Sequence, residues 1–336
     1  MTPRPDVFGV IFEKKLELNQ MNNNEQDNTK YDRHGDGGGH ASHTKAWIEA
    51  MRLRTLPVSV AGVIAGCGCA AYYGGFNILP GLICLLFAIV AQVASNFANE
   101  YYDYANGLDK KGREGFRRGV TEGDISPMAM KRATYILLAI DALLGCSLIW
   151  WGGWWLIAVG IAVLLFALAY STGPYPLSHH GLGDITVVIF FGVVPVMLTA
   201  WLQTGSWDIL PLALPLSVGT GMLAANVLIV NNYRDMEDDE KVGKHTTVVM
   251  FGRPAMLTVY MTMGIVGTFL PYPVLIAGGT VSAWWLLLPL WGSVGYFLLG
   301  RSISRLRGAA LNPMLKHTAM LMLVYTVLNA VMMSIC

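Results

Sequence analysis

From about residue 46 onward the chain repeats one pattern: a long apolar run, a short polar connection, another long apolar run. A hydrocarbon core of about 30 Å, crossed at 1.5 Å per residue, needs about 20 apolar residues per helix. The pattern predicts nine such spans, at about 56–74, 78–101, 133–151, 153–171, 184–203, 209–232, 254–275, 281–300 and 317–335. They are numbered span 1 to span 9 below. The expected fold class is an all-α polytopic membrane protein with nine transmembrane helices.

Residues 1–45 break the pattern. They are polar and rich in Asn, Asp and Gly (Asn22-Asn23-Asn24, then Gly35 to Gly39), cannot bury a core, and are expected to be a disordered tail. No positively charged start leads into an apolar stretch with a small-residue cleavage site, so no signal peptide is expected, and Met21 is a second candidate start. His34, His40 and His43 in this tail read as solvated low complexity rather than as a metal site. The domain that carries any function is expected to run from residue 46 to residue 336.

Composition agrees with the pattern. Apolar residues make up 54% of the chain and charged residues only 13%, about half the share of an ordinary soluble domain. The 37 glycines suit close helix packing in lipid. Cys67, Cys69, Cys84 and Cys146 lie inside apolar runs and read as small buried side chains, with Cys336 terminal.

Charge placement tests the span count. The net charge is only +1, yet all 23 Lys and Arg lie before span 1 or in the connections after spans 2, 6 and 8. The connections after spans 1, 3, 5 and 7 carry none, and the one after span 4 is silent. Retention of positive charge in the cytoplasm produces this alternation, with the N-terminus inside and the C-terminus outside.

Two polar stretches interrupt the apolar pattern, both at cytoplasmic ends of spans. Span 2 ends in Asn96-Phe-Ala-Asn99-Glu-Tyr-Tyr-Asp103, followed by Gly107 and Asp109. Span 6 ends in Asn231-Asn232-Tyr-Arg234-Asp235, followed by Asp238, Asp239, Gly243 and Lys244. Asn99 precedes Asp103 by four residues, Asn231 precedes Asp235 by four, and Asp235 precedes Asp239 by four. That spacing stacks side chains on one helical face. Spans 2 and 6 run in the same direction, which suggests two parallel four-helix halves plus a ninth helix, with a site between the halves.

Carboxylate and amide oxygens at a membrane face form a ligand set that Mg²⁺ accepts, shared with substrate phosphates. Lys110, Lys111, Arg113, Arg117, Arg118 and Lys244 supply positive charge in the same loops. Acid ladders, loop cations and apolar walls together point to a lipid diphosphate. Polar Asn96, Asn99 and Asn231 within the bilayer are costly unless they serve a purpose.

These residues resemble the UbiA superfamily of membrane prenyltransferases, and within it the bacterial 1,4-dihydroxy-2-naphthoate polyprenyltransferases of menaquinone synthesis. The resemblance rests on Leu53-Arg54-Thr55-Leu56-Pro57, on Asn96 to Asp103 with Gly107-x-Asp109, on Arg118-Gly119 and Gly123-x-Ile125, on Gly173-Pro174-x-Pro176 and Gly181-Leu-Gly183-Asp184, and on Asn231 to Asp239 with Gly243-Lys244-x-Thr246. The 4-hydroxybenzoate branch typically has an Asp where this chain has Gly107. One departure stands in the loop after the first motif, where Gly115-Phe116, Arg117-Arg118 and Thr121 replace the usual Gly-Pro, Arg and Gln.

The resemblance implies a polyprenyl diphosphate donor, an aromatic acceptor and Mg²⁺ as cofactor, at the cytoplasmic side of a bacterial inner membrane. It implies Mg²⁺-diphosphate binding by Asn99, Asp103, Asp235 and Asp239, with Asp109 and Asn231 as further candidates. Asp103, Asp235 and Asp239 are the expected catalytic residues, and Arg118, Lys244 and Arg54 the expected diphosphate contacts. The expected product is demethylmenaquinone, formed with loss of CO₂ and diphosphate. Nucleic acid is not among the expected partners. Two alternatives remain open at this point. One is a sister branch with 4-hydroxybenzoate, homogentisate or haem as acceptor, and the other is a transporter of divalent cations or phosphorylated solutes. Transporters place their ionisable sites near the midplane, whereas these ladders lie at one face. Asp141 in span 3 reads as a buried acid, His179-His180 as a surface pair, Trp150, Trp151, Trp154 and Trp155 as interfacial anchors, and Gly62-xxx-Gly66 as helix packing.

Overall fold

All regular elements in the computed structural model are helical; it describes residues 43–109, 117–171, 175–279 and 282–336. Span 1 is Leu56–Tyr72, span 2 Ile78–Ala105, and span 3 Pro127–Ser147 continued by Ile149–Gly152. Span 4 is Trp155–Ser171, and span 5 runs from Gly183 to Thr204. Span 6 is Leu210–Lys241, span 7 Thr247–Phe269 continued by Tyr272–Ala277, span 8 Leu287–Ile303 and span 9 Asn312–Ser334. Eight of the nine are long and apolar enough to cross a membrane; span 4, at 17 residues, is the short one. The expected boundaries 1–45 and 46 fall largely outside the described residues. His43, Thr44 and Lys45 open a short helix, His43–Met51, ahead of span 1.

Local chemistry sets the helix ends. Pro57, Pro127, Pro211 and Pro313 occupy first turns, where a missing N–H costs nothing. Asn77 caps span 2 by accepting from Leu79 N, and Ser126 caps span 3 by accepting from Ala129 N. Span 7 breaks at Gly252, whose φ of 78° lies in the left-handed region, just before Pro254. That break explains why the apolar pattern alone starts this span at 254.

Consecutive spans pack within each half: 2 with 3 and 4, then 5 with 6, 6 with 7 and 7 with 8. Span 9 packs against both span 8 and span 1, and span 1 also meets spans 2, 5 and 6. Span 6 is central, with 72% of its apolar window buried against 17% for span 3. Spans 2 and 6 are also the longest single helices, 28 and 32 residues. At 1.5 Å per residue they extend about 42 and 48 Å. Their last turns therefore project beyond a hydrocarbon core of about 30 Å, and those turns carry both Asn/Asp ladders.

Span 5 is the irregular one. It widens into a π turn over Val188–Val193 immediately before Pro195, which cannot donate to the carbonyl four residues back. Span 1 packs into this bend: a Cβ at Gly62 would lie 2.7 Å from both Phe191 O and Pro195 Cγ. On the other side Gly192 meets Gly221 of span 6 backbone to backbone, and a Cβ at Gly221 would lie 2.5 Å from Val188 O. Replacing Gly192 by Leu is therefore expected to prevent assembly, read as loss of folded protein from detergent extracts. A normal yield of Gly192→Leu would contradict the close crossing.

Candidate functional site

The N-terminal ends of spans 1 and 5 and the C-terminal ends of spans 2, 4 and 6 surround the polar end of one cavity of about 380 Å³. Its polar end is lined by Asn99 and Asp103 from span 2 and by Asn231 and Asp235 from span 6. Arg54, Arg118 and Lys244 line the same end, so seven of the nine site residues expected from the sequence meet there. Its apolar end is walled by side chains such as Phe87, Val163, Phe190 and Leu198 and closed by Cys84, Leu148, Leu156 and Leu202.

The two expected ligands that do not line the cavity are Asp109 and Asp239. Asp109 has only 1% of its side chain exposed and lies 3.3 Å from Arg118 Nε through its Oδ2. Arg118 also reaches Asp103 Oδ2, 3.5 Å from its Nη2, and its buried Nη1 has no hydrogen-bond partner among the described residues. Asp109 therefore neutralises Arg118 from behind and holds it toward Asp103. Asp239 is buried and sits 3.7 Å from Lys244 Nζ. The short helix Gly119–Glu122 that follows Arg118 is pinned by Glu100, which accepts from Val120 N at 3.0 Å. Lys110, Lys111, Arg113, Gly115-Phe116 and Gly173-Pro174 lie outside the described residues.

Span 6 supplies a second charge pair. Arg234 donates to both carboxylate oxygens of Asp235, at 2.6 and 2.7 Å, and both side chains are 3% exposed. The same guanidinium donates to Asn231 Oδ1 and to Asn312 Oδ1 at the start of span 9, each at 2.9 Å. This planar fork fixes the ladder of span 6 to span 9. On span 2, Asn96 donates to Met51 O at 3.0 Å and Gln92 to Thr55 Oγ1 at 3.2 Å. These bonds clamp the backbone at the chain reversal before span 1, where Arg52 adopts φ 51°. A non-glycine residue in that region is strained, and such strain concentrates at working sites.

The lining residues that sequence reasoning passed over include Arg52, Gln92, Asp184 and Arg234. Arg234 had a usable signal, since a cation beside Asp235 at a span end needs a buried partner. Nothing in the sequence marks the left-handed backbone that brings Arg52 to the cavity.

The lining residues include five cations (Arg52, Arg54, Arg118, Arg234, Lys244) against three acids (Asp103, Asp184, Asp235). The pocket thus favours an anion before any metal is counted. Among the described residues no three His, Cys, Asp or Glu side chains stand close enough to cage a metal by themselves. Mg²⁺ does not ask for such a cage: it keeps several waters and takes one or two carboxylates plus substrate phosphates. Asp103 and Asp235, with the amide oxygens of Asn99 and Asn231, fit that donor chemistry.

Ahead of span 5, the loop over 175–182 lines the cavity through Ser178 and Gly181. His245 N donates to His179 O at 2.9 Å, tying this loop to the one that carries Lys244. His180 stacks on Tyr175 with ring centroids 3.6 Å apart and bonds Pro176 O through Nδ1. Burial, reinforced by Lys244, pushes the His179 imidazole down to about 4, so it is neutral at pH 7. A surface pair is thus only half the description of these histidines.

Comparison with known proteins places this geometry. The UbiA prenyltransferase family profile matches residues 59–324. A 1,4-dihydroxy-2-naphthoate octaprenyltransferase of Haemophilus influenzae is 39% identical over 219 residues, 62% of this chain and 70% of that protein. One of Mycobacterium tuberculosis is 32% identical over 279 residues, 83% of this chain and 93% of that protein. Among solved structures, a UbiA homologue from Archaeoglobus fulgidus bound to GPP and Mg²⁺ superposes with a TM-score of 0.61 at 15% identity, covering 87% of this chain and 100% of that one. The same homologue has also been solved with Cd²⁺, so divalent metal use is a property of the family. With a family match over residues 59–324 and a relative 32% identical across 83% of the chain, this multi-pass membrane protein belongs to the UbiA prenyltransferase family.

Proposed function

We propose that the chain transfers a polyprenyl group from its diphosphate to 1,4-dihydroxy-2-naphthoate, releasing CO₂ and diphosphate and giving demethylmenaquinone. The observation that carries this reading is the cavity itself: a net-cationic end bearing two Asn/Asp ladders, continuous with an apolar wall. Relatives that act on the naphthoate acceptor, and family structures that hold prenyl diphosphates, support the same assignment. In this reading residues 46–336 form the prenyltransferase domain, and the polar tail 1–45 stands outside it. The protein resides in a bacterial inner membrane with its N-terminus and active site cytoplasmic, as the placement of Lys and Arg supports.

Asn99, Asp103, Asn231 and Asp235 would hold Mg²⁺ with the donor's diphosphate, and Asp239 would act beside them through Lys244. The ion, when bound, would supply Lewis-acid stabilisation of the negative charge on the leaving group. Arg118, Lys244 and Arg54 orient the diphosphate and stabilise the same charge; Asp103 and Asp109 hold Arg118, and Asp239 holds Lys244, before the reaction. The walls around Phe87, Phe190 and Leu198 hold the prenyl chain and keep water from the allylic carbon as its bond to oxygen weakens. The electron-rich acceptor ring then captures that carbon.

Membranes containing the protein, given Mg²⁺, labelled prenyl diphosphate and a panel of aromatic acids, test the proposal. Conversion of dihydroxynaphthoate with release of CO₂, abolished by EDTA and restored by Mg²⁺, is expected. Turnover of 4-hydroxybenzoate or homogentisate alone would move the chain to a sister branch. Uptake of Mg²⁺ without transfer would favour a transporter.

A further inference from the structure

The short helix Gly119–Glu122 borrows its cap from another part of the chain. Its N-cap position is Arg118, whose side chain makes no cap bond. Helix starts normally take a cap from Ser, Thr, Asp or Asn at that position, because those side chains accept from the first amides. Arginine has five donors and no acceptor, so it cannot do this. The acceptor comes instead from span 2: Glu100 Oε1 accepts from Val120 N at 3.0 Å, 20 residues away in the chain. Arg118 is thereby spared for its contacts with Asp103 at 3.5 Å and Asp109 at 3.3 Å.

Glu100 is 1% exposed and does not line the cavity. Its second oxygen, Oε2, is enclosed and has no hydrogen-bond partner among the described residues. A carboxylate held this far from water carries a desolvation cost that needs an explanation. Gly119 permits its close approach: a Cβ there would lie 3.5 Å from Glu100 Oε1 and 2.9 Å from Ile125 Cδ1. Beneath the turn, Val120 and Ile125 belong to one apolar cluster with Ala46, Ala50, Phe97 and Met130. Apolar contact is non-directional, whereas an N–H bond to a carboxylate is directional. The cluster therefore keeps the turn against span 2, and the Glu100 bond fixes which way it faces. Glu100 and Asp103 stand three residues apart on span 2, hence on one helical face. That face holds Arg118 at both ends, its backbone through Glu100 and its guanidinium through Asp103.

We infer that Glu100 is a positioning residue for the donor diphosphate, acting through Arg118. This deepens the proposed function and rests on its assignment of Arg118 to the diphosphate. Glu100 itself touches neither donor nor metal. Without its oxygen the Val120 amide must turn toward another acceptor, because a buried N–H left unpaired is costly. The backbone of Arg118, two residues earlier, turns with it. The guanidinium then loses its preset place beside Asp103, and donor binding weakens because the cation has to be ordered when the diphosphate arrives. Reach matters here more than charge, since an amide oxygen in the same place accepts the same N–H.

The test uses the full chain in detergent with Mg²⁺ and a non-hydrolysable prenyl thiodiphosphate, so that no acceptor enters the readout. Glu100→Met keeps the volume and removes the acceptor oxygen; donor Kd is expected to rise by about tenfold, the scale of a lost helix cap. Glu100→Gln keeps an oxygen within reach of Val120 N and should stay within about twofold of wild type. In the Arg118→Ala background, Glu100→Met should change donor Kd by no more than about twofold, because the residue it serves is gone. A merely structural role gives another pattern: less folded protein, with the donor Kd of the folded fraction unchanged. An unchanged Kd in Glu100→Met, or a further tenfold rise on top of Arg118→Ala, overturns the assignment. Should Glu100→Met yield no folded chain, Glu100→Asp decides, since it withdraws the oxygen by one methylene. Donor binding about threefold weaker is then expected, and an unchanged Kd overturns the assignment. A wild type that binds no thiodiphosphate would remove the proposed function as a whole. Wild-type binding with unchanged variants removes only the role of Glu100.

Discussion

Asp103→Asn and Asp239→Asn are each expected to lower prenyl transfer by about 10²-fold or more while the protein still inserts and folds. Asp103 lines the cavity, with its side chain 16% exposed, and shares Arg118 with Asp109. On the proposed function, losing its charge removes a hard oxygen ligand for Mg²⁺ and one of the two carboxylates beside Arg118. Asp239 stands one turn beyond Asp235 and pairs with Lys244 at 3.7 Å. Its loss weakens both the ladder and the position of that cation. Both residues lie at helix ends that project past the hydrocarbon core, so neither change disturbs the apolar packing that inserts the chain. Turnover at saturating Mg²⁺ and donor, beside the yield of detergent-extracted protein, measures the effect. Near-normal activity in both variants would remove the metal-site assignment.

Arg118→Ala carries the other large effect, and it acts on both activity and stability. Asp109, 1% exposed, would lose the guanidinium that stands 3.3 Å from its Oδ2. Breaking a buried pair from one side costs about 3–5 kcal/mol. Removing Arg118 also takes away a cation facing the diphosphate, so KM for the prenyl diphosphate should rise along with the fall in kcat. The double change Arg118→Ala with Asp109→Asn should regain much of the stability and none of the activity. Arg118→Lys should restore the charge without the fork that spans Asp103 and Asp109, and so recover activity only in part. A thermal melt and donor-dependent kinetics separate the two effects. Recovery of activity in the double variant would mean that Arg118 serves the fold and not the donor.

Much of this architecture was legible because lipid leaves the backbone few choices. Each apolar run had to be a helix, and the Lys and Arg sorted the connections by side, so nine spans and a shared face for both ladders followed. The ladders themselves were legible because Asn99/Asp103 and Asn231/Asp235 keep helical spacing and the helices continue through them, to Ala105 and Lys241. What stayed hidden depends on tertiary contact. Asp109 stood as a further ligand candidate through the resemblance alone; its contact with Arg118, formed where the chain turns at Gly107, is visible only in the fold. Arg234 stood in the sequence only as a cation beside Asp235, but its fork joins Asp235 to Asn231 and to Asn312, 78 residues away. The bend of span 5 owes as much to Gly62 and Gly221 on its neighbours as to its own Pro195. Asp184 bonds Thr247 across 63 residues, a contact that only the fold brings together.

The central claim, that the tips of spans 2 and 6 grip one metal-bound diphosphate between them, is tested most directly by a structure with Mn²⁺ and a non-hydrolysable prenyl thiodiphosphate. The account predicts anomalous metal density and the diphosphate between Asp103 and Asp235, with Arg118 and Lys244 on the phosphate oxygens and the prenyl chain along Phe87 and Phe190. Metal held by one helix alone, or a diphosphate bound outside this cavity, would contradict it.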